Sequence, residues 1–341
     1  MSLKFATLGE LMLRLSTPGN QVFVQADSFD VNYGGGEANV AVSLANYGCE
    51  ACFLSKIPSN DIGQAAVNSL RAFGVDTSRI IRGGGRLGIY FLQTGASMRA
   101  SKVIYDRAHS AIAEAKASEF DFNKLLDGVC WLHVSGITPA LSPSAAEITK
   151  LALMKAKEKG IITSFDLNFR SKLWTKEQAQ ACMIPLMKYV DYAIGNEEDA
   201  QNCLGFRLEG DVTSGKLDVD KYAIMLQALC KQYGFKGAAT SLRESKSASC
   251  NGWAGALYIN DKFYLSKHYE INPIVDRVGG GDSFSAGLIY GLTHYSDPSD
   301  AINFAVAASA LKQTIPGDYN HVGVKEVESL MGGDASGRVQ R

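Results

Sequence analysis

An α/β fold, with a mainly parallel sheet covered by helices on both faces and a small β-sheet lid, is what this sequence predicts on three observations. From about residue 120 onward, apolar runs of strand length alternate with helical stretches. Segments 15–33 and 86–107 are instead rich in β-formers with polar alternation. Between Asp276 and Ser283, three glycines run into a helix of small and apolar residues.

The alternation starts at the apolar run 129–134 and continues with a helix opened by Ser142 and Pro143 and closed at Gly160. A strand at 161–165, a helix near 176–188, a strand at 190–194, a helix near 219–233 and a strand at 237–240 follow. Strands joined by helices in this way build a parallel sheet. Its ligand crevice lies beyond the carboxyl ends of the strands. Two polar clusters stand there, Asp166-Leu-Asn168-Phe-Arg170 and Asn196-Glu-Glu-Asp199. Either one alone is equally well read as a helix-capping turn; together they favour a site. In the N-terminal part, helical patterns at 37–47 and 61–72 separate the β-rich segments, which leave the main sheet and return as a lid. One domain is expected over 1–325, with a partly disordered C-terminal end over 326–341.

Composition narrows the function classes. With 34 basic and 35 acidic residues in 341, the formal net charge is -1, and no basic surface for nucleic acid is expected. No apolar run reaches the length of a membrane span, and the first residues enter a strand without a signal core, which predicts a cytoplasmic protein with small-molecule partners. Seven scattered cysteines fit reduced, buried thiols. Cys49-Glu-Ala-Cys52 has no second pair, so packing rather than zinc is expected of it.

Three glycine-rich segments compete as phosphate sites. In Gly34-Gly-Gly-Glu-Ala-Asn39, Asn39 stands where a dinucleotide fingerprint needs its third glycine. Gly210-Asp-Val-Thr-Ser-Gly-Lys216-Leu217 fails as a P-loop because Leu217 replaces the magnesium-binding hydroxyl. Asp276-Arg-Val-Gly279-Gly280-Gly281-Asp282-Ser-Phe is different. Free backbone N–H groups and the positive helix end would face one point, and Asp282 beside them can take a proton from an attacking hydroxyl. A plain Asp N-cap after a glycine turn is the competing reading from spacing alone.

Taken together, Gly35-Gly-Glu-Ala-Asn39-Val-Ala and Asp276-x-x-Gly-Gly-Gly-Asp282-Ser-Phe resemble, in order and spacing, the two signatures of the PfkB, or ribokinase-like, carbohydrate kinases. The resemblance covers roughly residues 4–325. It implies a three-layer α/β/α fold with a β lid, ATP and magnesium, and a homodimer paired through the lid. It implies that Asp282 is the base for the sugar hydroxyl and that the backbone of Gly279, Gly280, Gly281 and Asp282 forms an anion hole. The family's N-x-x-E magnesium element falls on Asn196 and Asp199, where the shorter Asp departs from the pattern, and Glu197 or Glu198 could take its place. Thr240, with Asn168, Arg170, Asn196, Gly279 and Gly281, is expected near the nucleotide, although Thr240-Ser-Leu-Arg243 departs from the usual Thr-x-Gly turn. The resemblance also leaves room for potassium, held by backbone near Asp276 and the loop 310–317.

For the substrate, Arg14 stands where many sugar-specific relatives carry an aspartate, which suggests an acidic sugar. As a set, Gly34, Tyr90, Tyr105, Arg107, Arg170 and Asp282 resemble the substrate and catalytic residues of 2-keto-3-deoxygluconate kinases, with Arg107 as carboxylate partner, and Arg14, Gly35 and Asn39 are expected to bind substrate with them. The implied reaction moves the γ-phosphate of ATP to the 6-hydroxyl. A fructokinase or other neutral-sugar kinase, and a non-catalytic sugar-binding regulator, remain as alternatives.

Overall fold

The structure is a computed structural model that describes residues 3–206 and 219–334; the near P-loop at 210–217 lies outside the described residues. Six parallel strands form the heart of the main sheet, in spatial order Glu50–Leu54, Lys4–Leu8, Trp131–Ser135, Ile162–Asp166, Tyr192–Ile194 and Gly237–Ser247. The last of these is much longer than the expected 237–240. It turns back through Cys250–Ile259, which also pairs antiparallel with Lys262–Leu265 and Tyr269–Ile271, so one edge of the sheet is antiparallel.

Two apolar cores sandwich the sheet. On one face Phe165, Leu132 and Val134 pack under helices Pro143–Glu158, Lys176–Met183 and Val219–Tyr233. On the other, Phe5, Trp131, Ala239 and Leu257 meet helices Gly36–Asn46, Gly280–His294 and Pro298–Lys312. The helix at Pro143 begins as its sequence predicts, with the Ser142 hydroxyl accepting from Ala145 N at 3.0 Å. Cys52 is buried in its strand, where loss of water pushes its thiol up to about 11.

A separate four-stranded sheet forms the lid, in order Asp30–Gly34, Met12–Ser16, Gly88–Gln93 and Lys102–Asp106. Its first strand begins at Met12, ahead of the expected 15, and pairs parallel with Gly88–Gln93. Period-two alternation gives the lid two faces. Arg14, Tyr90 and Tyr105 lie in one row across three strands, while Val31, Leu15, Phe91 and Ile104 lie in the next row and share the opposite face.

Candidate active site

A cleft of about 520 Å³ opens where the carboxyl ends of the parallel strands meet the inner face of the lid. Asp282 lies in its wall, in the first turn of helix Gly280–His294. Gly279 caps that helix in the left-handed region, φ 83°, which a side chain adopts at a cost. A Cβ at Gly279 would also overlap the carbonyl oxygen of Asp318. The glycines therefore do two things: they permit the turn, and they keep side chains off the helix start, where Gly280 N donates to Arg277 O at 3.2 Å and the N–H groups of Gly281 and Asp282 are left for a ligand.

The Asp282 carboxylate accepts a hydrogen bond from Asn39 Nδ2 at 2.6 Å, and Asn39 Oδ1 accepts from Gly35 N at 3.2 Å. The two glycine segments are thus stitched together by the residue that spoils the dinucleotide fingerprint. Burial pushes the Asp282 carboxyl up to about 6, against the pull of Asn39 and of the Arg170 guanidinium. A carboxylate poised there is ionised at neutral pH yet basic enough to receive a hydroxyl proton.

Tyr90, Tyr105 and Arg107 reach the cleft from the lid, together with Gly35 and Asn39. The rings of Tyr90 and Tyr105 are 5.9 Å apart, and the Arg107 guanidinium lies 5.4 Å from the Tyr105 ring. Glu10, buried beneath, engages Nε and Nη2 of Arg107 and leaves Nη1 to other partners. Gly34 does not line the cleft; a Cβ there would overlap the Asp318 carboxylate, so its place is close approach rather than contact. At the other end Asn168, Arg170, Asn196, Asp199, Ser241, Arg243 and Arg277 complete the walls.

Two expectations need correction. Arg14 is 3% exposed and does not line the cleft. Its Nη2 meets Asp276 at 2.5 Å, its Nη1 meets Asp318 at 2.6 Å, and its Nε meets Ser16 Oγ at 2.6 Å. Paired with two carboxylates in the interior, it is not placed to meet a third from a sugar acid. Thr240 is fully buried, because the strand continues past it and its alternation presents Ser241, Arg243 and Ser245 to the cleft instead.

Asn196 and Asp199 line the cleft but are already engaged. Asn196 Oδ1 accepts from Asp199 N at 2.8 Å, and Asp199 accepts from Asn196 N at 3.2 Å and from Phe169 N at 2.8 Å. The capping reading of this cluster is therefore the geometry observed, with the Asp arm also clamping the 166–170 turn. Asp166, at the end of its strand, was legible only as part of a polar turn. Burial, Asp199 and Asp282 together push its carboxyl well above the usual range. Among the described residues no group of three or more His, Cys, Asp or Glu forms a metal cage.

Asp318 escaped sequence reading altogether. It is 3% exposed, accepts from Tyr90 Oη and Arg14, and lines the cleft between lid and anion hole. Only its position in the turn Pro316-Gly-Asp-Tyr after a helix marked it. The model of the pfkB family carbohydrate kinases matches residues 3–322.

The chain belongs to the pfkB family of carbohydrate kinases. Its three-layer architecture is the ribokinase-like fold of that family. It is 32% identical over 336 residues to the 2-dehydro-3-deoxygalactonokinase of Haloferax volcanii, covering 98% of this chain and 99% of that one. It is 28% identical to the 2-dehydro-3-deoxygluconokinase of Thermoproteus tenax, over 96% of this chain and 94% of that protein. The crystal structure of 2-dehydro-3-deoxygluconokinase from Thermotoga maritima superimposes with a TM-score of 0.94 at 50% identity, covering 98% and 99% of the two chains. As a pfkB kinase, the chain carries the family's two glycine segments on one wall of one cleft.

Proposed function

We propose that this kinase phosphorylates 2-keto-3-deoxygluconate, also called 2-dehydro-3-deoxygluconate, at its 6-hydroxyl with ATP. The observation that carries the reading is Arg107: a buried guanidinium at the lid that lines the same cleft as Asp282 and is held by Glu10, so that its remaining amino group is available to a carboxylate. Tyr90 and Tyr105 flank the sugar, and Arg170, which lines the same cleft, serves substrate and phosphates. Asp282 takes the proton of the 6-hydroxyl as its oxygen attacks the γ-phosphorus. The bond to the β–γ bridging oxygen breaks, and ADP leaves with the electron pair. The N–H groups from Gly279 to Asp282 stabilise charge on the equatorial oxygens. This work is positioning and charge, which a preformed cradle supplies.

The nucleotide lies along Asn168, Asn196, Ser241 and Arg243. Magnesium keeps several waters and takes one or two carboxylates plus phosphates, which fits Asp166 beside Asp199 better than a closed protein cage. It would neutralise charge on the phosphates there. Potassium has no part in this reading, because an ammonium already holds the carbonyls beside the anion hole.

A coupled ADP-release assay with 2-keto-3-deoxygluconate, its galacto epimer, fructose and ribose tests the substrate. Turnover of the keto acids far above the neutral sugars is expected; preference for fructose would overturn the reading. Arg107→Ala, made with Glu10→Gln so that no unpaired carboxylate stays buried, should raise KM for the keto acid by about 10- to 100-fold, the worth of a charged hydrogen bond. An equal change for fructose would remove Arg107 from the role.

A homodimer through the lid belongs to the same reading. Val31 and Ile104 are exposed at 60% and 55%, and with Leu15 and Phe91 they form an apolar row across all four strands. Light scattering should give a mass of two chains, reduced to one by Ile104→Asp. A single-chain mass for the parent protein would exclude the dimer.

A further inference from the structure

Lys312 ends helix Pro298–Lys312 and is fully buried, a rare place for a lysine. Its Nζ donates to the carbonyl of Asp276 at 3.1 Å and to that of Ile315 at 3.2 Å. A Cβ at Gly279 would lie 3.2 Å from Lys312 Cε, so the lysine stem packs directly beneath the residue that opens the anion hole. Around it, Asp276 and Asp318 supply negative charge and Arg14 positive charge. Burial lowers the pKa of the ammonium while the two aspartates oppose that shift.

The backbone it holds is the backbone that does the chemistry. Asp276 begins the turn that sets Gly279 in its left-handed conformation, and its side chain accepts from Val278 N at 3.0 Å and Gly317 N at 3.1 Å. The loop at Ile315 leads into Asp318, whose carbonyl abuts Gly279. One ammonium therefore joins the two segments that frame the phosphate cradle. Without it, two carbonyl oxygens would face each other at the anion hole with no donor between them.

We propose that Lys312 is a positioning residue for phosphoryl transfer, a tethered cation that fixes the anion hole from beneath and makes turnover independent of any free monovalent cation. The proposal rests on the kinase reading but not on which sugar is used. A dehydrated cation of similar size, ammonium or potassium, is the chemical species that could take over the same pair of carbonyls once the side chain is shortened.

The experiment measures kcat and KM for whichever sugar the panel shows to be turned over, in potassium, ammonium, sodium or tetramethylammonium chloride at constant ionic strength. The parent enzyme should vary less than about twofold among the four salts. Lys312→Ala should lose roughly tenfold or more in kcat in tetramethylammonium, with little change in sugar KM, since the defect lies at the anion hole. Potassium or ammonium should restore at least part of that loss. Lys312→Gln, one atom shorter and uncharged but still a donor, serves if the alanine variant does not fold, with the same loss and the same cation rescue expected. Strong potassium activation of the parent, an unimpaired Lys312 variant, or a loss that neither cation relieves would each overturn the proposal. Failure of the substrate reading would show earlier, in the parent enzyme's sugar preference.

Discussion

Asp282→Asn is expected to lower kcat by about 10²- to 10⁴-fold, the worth of a positioned general base, while ATP binding stays close to that of the parent. The substitution is nearly isosteric, and its amide oxygen can still accept from Asn39 Nδ2, so the stitch between the two glycine segments survives. What is lost is the acceptor for the hydroxyl proton. Steady-state kinetics and nucleotide titration separate the two effects, and turnover within a few-fold of the parent would remove Asp282 from its role. The parent's kcat/KM should fall by about tenfold per pH unit below about pH 6, where the carboxylate takes up a proton. Stability moves the other way. A carboxyl raised in the folded state favours folding while protonated and loses that contribution as pH rises through about 6. At pH 8 the ionised, buried Asp282 is a cost, so Asp282→Asn should melt no lower than the parent. A Tm several degrees below it would mean that the carboxylate has a structural task besides accepting a proton.

Gly279→Ala should be nearly as damaging for a different reason. The added methyl meets a positive φ of 83° and the carbonyl oxygen of Asp318 at once, so the turn must move. N–H groups that shift away from the transferring phosphoryl cost what a lost oxyanion donor costs, about 10²- to 10³-fold in kcat. Gly281 offers the internal control, because nothing lies within 4 Å of a Cβ added there and its φ is ordinary. Gly281→Ala should therefore retain far more activity. Equal loss in both variants would show that any side chain in the segment is harmful and that the Gly279 turn is not the cause.

The parts legible in the sequence were those whose chemistry is local. Asp282 with its glycines, and the helix start beside it, are contiguous, and the strand-and-helix rhythm announces the sheet whose strand ends carry Asp166 and Asn196. The helix from Ser142 could be placed because its cap is the next residue. What stayed hidden depends on partners distant in sequence. Arg14 is a free guanidinium to a reader of the chain, yet its carboxylates stand 262 and 304 positions away. Thr240 misled because strand length decides which residues of Gly237–Ser247 face the cleft, and that length is set by pairing with Cys250–Ile259. Asp318 lies in a turn whose neighbours in sequence say nothing of Tyr90 or Gly34. Lys312 stands in the last turn of its helix, where a lysine is commonplace, and its carbonyl partners show only in the fold.

The Arg14 pairing has a bearing on how such enzymes can be rebuilt. Arg14 comes from a lid strand, while Asp276 and Asp318 belong to the segments framing the phosphate cradle. Sugar choice and phosphate handling are thereby welded at one joint. A chimaera that borrows a lid with a neutral residue at position 14 would strand two acids in the interior, and the graft would have to carry replacements for both along with it.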